Sequence, residues 1–190
     1  ATRGHAGGLA LSVPGAVRVF DAVGFDPVII ETVGVGQVEV DVVGAADTAV
    51  VVVNPGWGDA VQANKAGLLE VADVFVVNKA DRAGANDTRR DLELMLDLSH
   101  VSGQEDESGY RPPIVMTTAT DGNGITEVWD AVQAHREHLD ATGKLAARRA
   151  ARLRYEVQSR VARIIETQID GVISASVLDP AVSPAIHAAA

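Results

Sequence analysis

The apolar positions of this chain fall into two alternating patterns. Short continuous apolar runs occupy residues 28–30, 48–53, 73–77 and 113–117, and each ends in polar or glycine-bearing turn chemistry. Between them the spacing turns helical. Val17, Phe20 and Val23 share a face between Pro14, suited to a first turn, and Gly24, suited to an end. Asp59 can cap a helix reaching Val71, with Val61, Leu68, Leu69 and Ala72 inward. Residues 87–98 carry Leu92, Met95 and Leu96 on one face, and residues 125–138 carry Val128, Trp129 and Val132. Strands that alternate with helices at this spacing predict right-handed βαβ units. The fold class is therefore α/β: an open, mostly parallel sheet with helices on both faces. Ligands of such sheets sit outside the carboxyl ends of the strands. That singles out the loops at 31–37, 54–59, 78–81 and 118–122.

From Gly143 the pattern changes. Residues 144–163 place Leu145, Leu153, Val157, Val161 and Ile164 in a helical stripe, among seven basic residues and the single acid Glu156. Ala and Arg favour one long helix here, with the stripe docking on another subunit and the arginines in water. The expected domains are 1–140 as the sheet domain and 141–190 as a helical arm and tail.

Composition narrows the chemistry. Of 190 residues, 47% are apolar and only 4% aromatic, so the core must be built from Val, Ile, Leu and Ala. A formal net charge of −10 disfavours nucleic acid, whose phosphates would be repelled. The absence of cysteine removes disulfides, thiolate metal sites and cysteine catalysis, and fits a cytoplasmic protein. No apolar run approaches the length of a membrane span. The five histidines have no ligand spacing with acids and are read as surface residues.

The sharpest motif is Asn78-Lys79-Ala80-Asp81, at the end of an apolar strand. The Asp81 carboxylate can accept two hydrogen bonds at once, from the ring N–H and the exocyclic amine of guanine. Adenine lacks that amine and offers an acceptor at the ring nitrogen, so a carboxylate there rejects it. The stem of Lys79 can lie across the base, and Asn78 can tie the loop to the phosphate side. Thr118-Ala119-Thr120 follows the next strand, where a backbone N–H could meet guanine O6. One unit earlier, Glu31 closes an apolar run and Gly34 follows it. An acid there can hold the waters of Mg²⁺, and the glycine lets a backbone N–H approach a γ-phosphate. A solvated strand cap is the bland alternative for Glu31. Gln37 could orient an attacking water or simply lie on the surface. Asp59, Gln62 and Lys65 share one helix face, which by spacing alone is a solvated face with an N-cap.

Taken in order, Glu31-Thr32-Val33-Gly34-Val35-Gly36-Gln37, Pro55-Gly56-Trp57-Gly58-Asp59 and Asn78-Lys79-Ala80-Asp81 resemble the MeaB/ArgK GTPases, long labelled lysine/arginine/ornithine transport ATPases. The resemblance covers about residues 1–140. It implies a P-loop GTPase that binds GTP or GDP with Mg²⁺ and chaperones a cobalamin-dependent acyl-CoA mutase of the methylmalonyl-CoA type, gating cofactor loading and protecting the enzyme. It also implies a homodimer held through carboxy-terminal helices, with no nucleic-acid or membrane partner. Under it, the segment from Glu31 to Gln37 is a switch, with Glu31, Gly34 and Gln37 as the catalytic group and Glu31 meeting Mg²⁺ through water. Asn78, Lys79, Asp81, Thr118, Ala119 and Thr120 hold the base. Asp59, Gln62 and Lys65 become candidates for coupling nucleotide state to the mutase.

The 190 residues contain no Gly-x-x-x-x-Gly-Lys-[Ser/Thr] loop, and Gly143-Lys144 is followed by Leu145. The expectation is the carboxyl-side portion of a longer GTP-binding domain, which by itself holds nucleotide weakly. Two rival readings are a metallochaperone GTPase, which would need Cys/His clusters, and a degenerate dimerising module that has lost its phosphate site.

Overall fold

The computed structural model describes residues 13–32, 44–56, 71–101 and 110–178. Three strands form one parallel sheet in the order β1 (Val50–Val53), β2 (Val74–Val77), β3 (Ile114–Met116). The register pairs Val50 with Val74 and Phe75 with Ile114. Four helices are formed among the described residues: α1 (Val13–Val23), α2 (Ala85–Val101), α3 (Ile125–Ala141) and α4 (Lys144–Leu178).

β2 is central and buried at all four positions, as a valine-rich strand covered on both faces should be. Phe75 and Val77 join Val53, Leu92, Met95 and Leu96 in the core beneath α2, so the predicted inward face of that helix is the observed one. Alternation along the strand turns Val74 and Val76 to the opposite face, where α3 packs on β2. Helices thus cover both faces of an open parallel sheet.

Three expectations differ from the structure. The run at 28–30 forms no ladder, and Ile29 is 83% exposed. A three-residue apolar segment becomes a strand only through a partner's N–H and C=O groups, and none of the described residues supplies them. Among the described residues the sheet ends at β1, whose Val50 and Val52 are exposed. Helix α1 ends as predicted, where Gly24 enters the left-handed region at φ 92°. Its apolar face is not buried, however, and Phe20 instead packs edge-on against Phe25 at 5.6 Å. On α3 the buried residues are His135 and Leu139 rather than Val128, Trp129 and Val132, and Trp129 is exposed. His135 is therefore not a surface residue.

What buries His135 is Asp73, which lies immediately before β2. The Asp73 carboxylate accepts the Ala49 N–H at 2.8 Å and both terminal nitrogens of Arg148 at 3.1 Å. His135 Nε2 stands 3.2 Å from it, and His135 Nδ1 lies 2.9 Å from the Thr48 hydroxyl. With the ring neutral, Nε2–H donates to Asp73 and Nδ1 accepts from Thr48. Tyr110 stacks against His135 and His138 and donates its hydroxyl to the Asp73 carbonyl at 3.1 Å. Arg149 pairs with Asp47, and Leu145 is buried, so the first turns of α4 are fixed to the amino end of the sheet. By contact, the chain divides into two compact units, residues 1–149 and 150–190. The described residues of the second unit, 150–178, are helical, with Leu153, Val157, Val161, Ile164, Ile165 and Ile169 each about half exposed.

Burial alone would raise the pKa of Asp73, but the hydrogen bonds from His135, Arg148 and Ala49 outweigh it and hold the carboxyl below its usual value of 3.8. A depressed folded-state value stabilises the protein above the unfolded value and loses that contribution as pH falls through the folded one. Removing one partner of this buried pair, as in Asp73→Asn, should lower unfolding stability by about 3–5 kcal/mol at pH 7, with the gap to wild type narrowing as pH falls below 4. Urea melts across pH 3–7 measure this; a gap that stays constant would contradict it. Burial and the nearby Asp73 charge push Tyr110 up to about 12. Its contribution is complete below pH 10 and lost as pH rises toward that value. An absorbance titration should show a phenol titrating near 12 that is missing in Tyr110→Phe.

Candidate functional site

The predicted loops meet at the carboxyl edge of the sheet. Past β2, the Asn78 N–H donates to Val53 O at 2.9 Å, which extends the parallel ladder one step. Lys79 then turns the chain with φ 58°, a left-handed conformation that a side chain rarely adopts and that costs about 1–2 kcal/mol. Ala80 N–H returns to Thr117 O at 2.9 Å, and Thr117 N–H donates to Val77 O at 2.9 Å. The two loops are thus bound to each other through the main chain.

Asn78 adds the side-chain strap. Its Oδ1 accepts the Thr117 hydroxyl at 3.1 Å and the Ala119 N–H at 3.2 Å. With that oxygen engaged, the amide nitrogen is its remaining polar group. Asp81 is exposed at the same edge, and no salt bridge engages it among the described residues. Its carboxylate is available as a two-oxygen acceptor, the property that guanine recognition demands. Asn54, at the end of β1, buries its Oδ1 with no hydrogen-bond partner, an acceptor that a donor would satisfy.

The second loop is held by its own turn. Thr118 N–H donates to Asn123 O at 3.0 Å, and Gly122 and Gly124 both take positive φ. At Gly124 a Cβ would stand 2.2 Å from Met116 O and 3.0 Å from Thr117 Cγ2. Only glycine lets the chain pass that close to β3 and enter α3.

Of the expected site residues, Asn78, Lys79, Asp81, Thr118, Ala119 and Thr120 come together here. Glu31 is exposed, in the segment that makes no ladder. Gly34, Gln37, Asp59, Gln62 and Lys65 lie outside the described residues. No group of three or more His, Asp or Glu among the described residues could hold a metal ion. Sequence reasoning missed Thr117, whose hydroxyl at a strand end one position before the Thr118-Ala119-Thr120 trio was the available signal. It also missed Asn54, which read only as a turn residue.

Loops strapped together at the carboxyl edge of an open parallel sheet make this an α/β domain of the class that carries its ligand sites at that edge. The chain belongs to the methylmalonyl Co-A mutase-associated GTPase MeaB family, whose model matches residues 1–172. It is 50% identical to a candidate GTPase of Pyrococcus abyssi over 91% of this chain and 53% of that protein. It is 32% identical to GTPase ArgK of Escherichia coli over 75% of this chain and 43% of that protein. The crystal structure of a LAO/AO transport system kinase shares the fold with a TM-score of 0.59, at 24% identity, over 88% of this chain and 51% of that one. The chain spans about half the length of the curated relatives it matches.

The Gly124 geometry gives a direct test of the loop. Gly124→Ala should lower stability by about 2 kcal/mol or more, a fall of roughly 4–8 °C in Tm. Gly122→Ala meets nothing within 4 Å and carries only the penalty of its φ, so its fall should be smaller. Thermal melts that rank the two variants the other way would refute the steric account.

Proposed function

We propose that this chain forms the guanine-reading part of a GTP-binding and GTP-hydrolysing chaperone of a cobalamin-dependent acyl-CoA mutase of the methylmalonyl-CoA type, which gates cofactor loading and protects the mutase. The observation that carries the reading is the strap from Asn78 Oδ1 to Thr117 and Ala119, which presents the Asp81 carboxylate and the 118–120 backbone at one strand edge. Family membership supports GTP as the nucleotide and a mutase as the partner.

In this reading Asp81 accepts from the Watson–Crick edge of guanine, the Lys79 stem covers the base and the 118–120 segment meets O6. Bound GTP supplies the phosphoanhydride that is hydrolysed. Glu31 holds Mg²⁺ through water, Gly34 and Gln37 belong to the hydrolytic switch, and Asp59, Gln62 and Lys65 couple nucleotide state to the mutase. The half-exposed apolar residues of α4 support a homodimer formed through the helical arm of residues 141–190. The reading places the protein in the cytoplasm. No helix among the described residues is long and apolar enough to cross a membrane.

Asp81→Asn should move nucleotide preference from guanosine toward xanthosine diphosphate by about a hundredfold or more in relative affinity, because the amide now matches the xanthine edge. Competition binding reads this, and unaltered selectivity would mean that the base is read elsewhere. The chaperone role is tested by the GTPase rate of the full-length protein with and without a methylmalonyl-CoA-type mutase. The mutase should change the rate, and Lys65→Ala should blunt the change. A rate indifferent to the mutase would leave a GTPase without that role.

A further inference from the structure

Two elements run from one edge of the sheet to the other. β2 has Asp73 immediately before its first residue and Asn78 immediately after its last. α3 begins at the Gly122–Gly124 turn that follows Ala119, and about three turns later it buries His135. The two elements are cross-linked at both ends. At the carboxyl edge Ala119 N–H donates to Asn78 Oδ1 at 3.2 Å, and at the amino edge His135 Nε2 meets Asp73 Oδ1 at 3.2 Å. The result is a closed frame. Arg148, in the second turn of α4, grips the amino end with two bonds to Asp73 and one to Asp47 O at 3.2 Å.

We propose that this frame is a coupling device that links the seating of the first turns of α4 to guanine-nucleotide affinity; the nucleotide arm of the proposal rests on the guanine reading above. The physical reason lies in what each end can tolerate. Asp73 is only 8% exposed, so loss of the Arg148 fork leaves a buried carboxylate without two of its donors, and the chain around it must shift to recover them. β2 is packed on both faces and does not yield along its length, so the shift is passed to Asn78 rather than absorbed. The loop beyond Asn78 includes Lys79 at φ 58°, a conformation held only by its surroundings. By linkage the effect is reciprocal: whatever orders residues 78–81 also tightens the hold on Arg148.

Hydrogen–deuterium exchange on this chain without nucleotide tests the device independently of binding. Arg148→Gln should speed exchange of the Asn78, Ala80 and Ala119 amides by about tenfold while the interior of α2 keeps its wild-type rates. Arg148→Lys keeps the charge but loses the two-pronged grip, so it should give a smaller rise in a protein close to wild-type stability. In the reverse direction, Asn78→Ala should speed exchange in the first turns of α4. Leu96→Ala, which destabilises through α2, serves as the control for general loosening. Effects of Arg148→Gln confined to α4 and Asp47, or matched everywhere by Leu96→Ala, would overturn the proposal. A parallel titration with fluorescent GDP, carried out on the full-length protein, separates the two ideas. Wild-type protein that binds none sinks the guanine reading and leaves the exchange result to decide the coupling. Wild-type binding that Arg148→Gln leaves unweakened sinks the coupling.

Discussion

A carboxylate withdrawn from water must be met by donors on nearly every lone pair, and Asp73 satisfies that demand with groups from three directions. Ala49 N–H comes from just before β1, His135 from α3 and Arg148 from α4. The desolvation penalty of such an ion is several kcal/mol, so no arrangement of sheet and helices that leaves it bare competes with this one. Hydrophobic contacts make the elements pack, but they are non-directional. The bonds to Asp73 select which face of α3 turns inward and where α4 begins. Thr48, His135 and Asp73 even follow the order of a nucleophile, a base and an orienting acid. His135 is 1% exposed, however, and a substrate would have to displace the core to reach it. The arrangement is structural.

The opposite edge of β2 is governed by a different constraint. Lys79 adopts a left-handed turn that its own side chain disfavours, and the turn persists because Asn78, Ala80 and Thr117 are each bonded across to the neighbouring strand or loop. Strain of this kind survives only where neighbours over-determine it. Gly124 makes the same point from the other side, since its missing Cβ lets the loop lie against Met116 O closely enough to bring Ala119 within reach of Asn78. The two strand-end loops are therefore set by bonds to each other before any ligand contributes.

Much of this was legible in the residues. The runs that became β1, β2 and β3, the inward face of α2 and the 78–81 loop each carry a local signal: a buried strand followed by polar turn chemistry, or apolar residues three and four apart. The long helix was legible too, although it extends to Leu178, well past the apolar stripe that ends at Ile164. What was hidden depends on partners distant in the chain. Thr48 and His135 are 87 residues apart, so no local period marks the histidine as buried. The faces of α1 and of residues 28–30 show the converse. Periodicity states which residues share a side, but not whether anything covers that side. Thr117 was hidden for a third reason: its strand position was plain, and its hydroxyl became informative only once Asn78 lay opposite.

Under the proposed reading, these constraints also divide the work of nucleotide binding. Phosphates contribute affinity through many charged contacts that are alike for every nucleoside, whereas discrimination comes from one edge of the base. A carboxylate that stays in water discriminates poorly, because solvent replaces any bond that a wrong base fails to make. Asp81 is exposed before the base arrives. Its selectivity must then arise on binding, when the base and the Lys79 stem exclude water from it and an unmatched acceptor becomes costly. That requires a loop whose shape does not relax to admit adenine. The bonds from Asn78 to Thr117 and Ala119 provide the rigidity, so the specificity of the site depends on two hydrogen bonds that never touch the ligand.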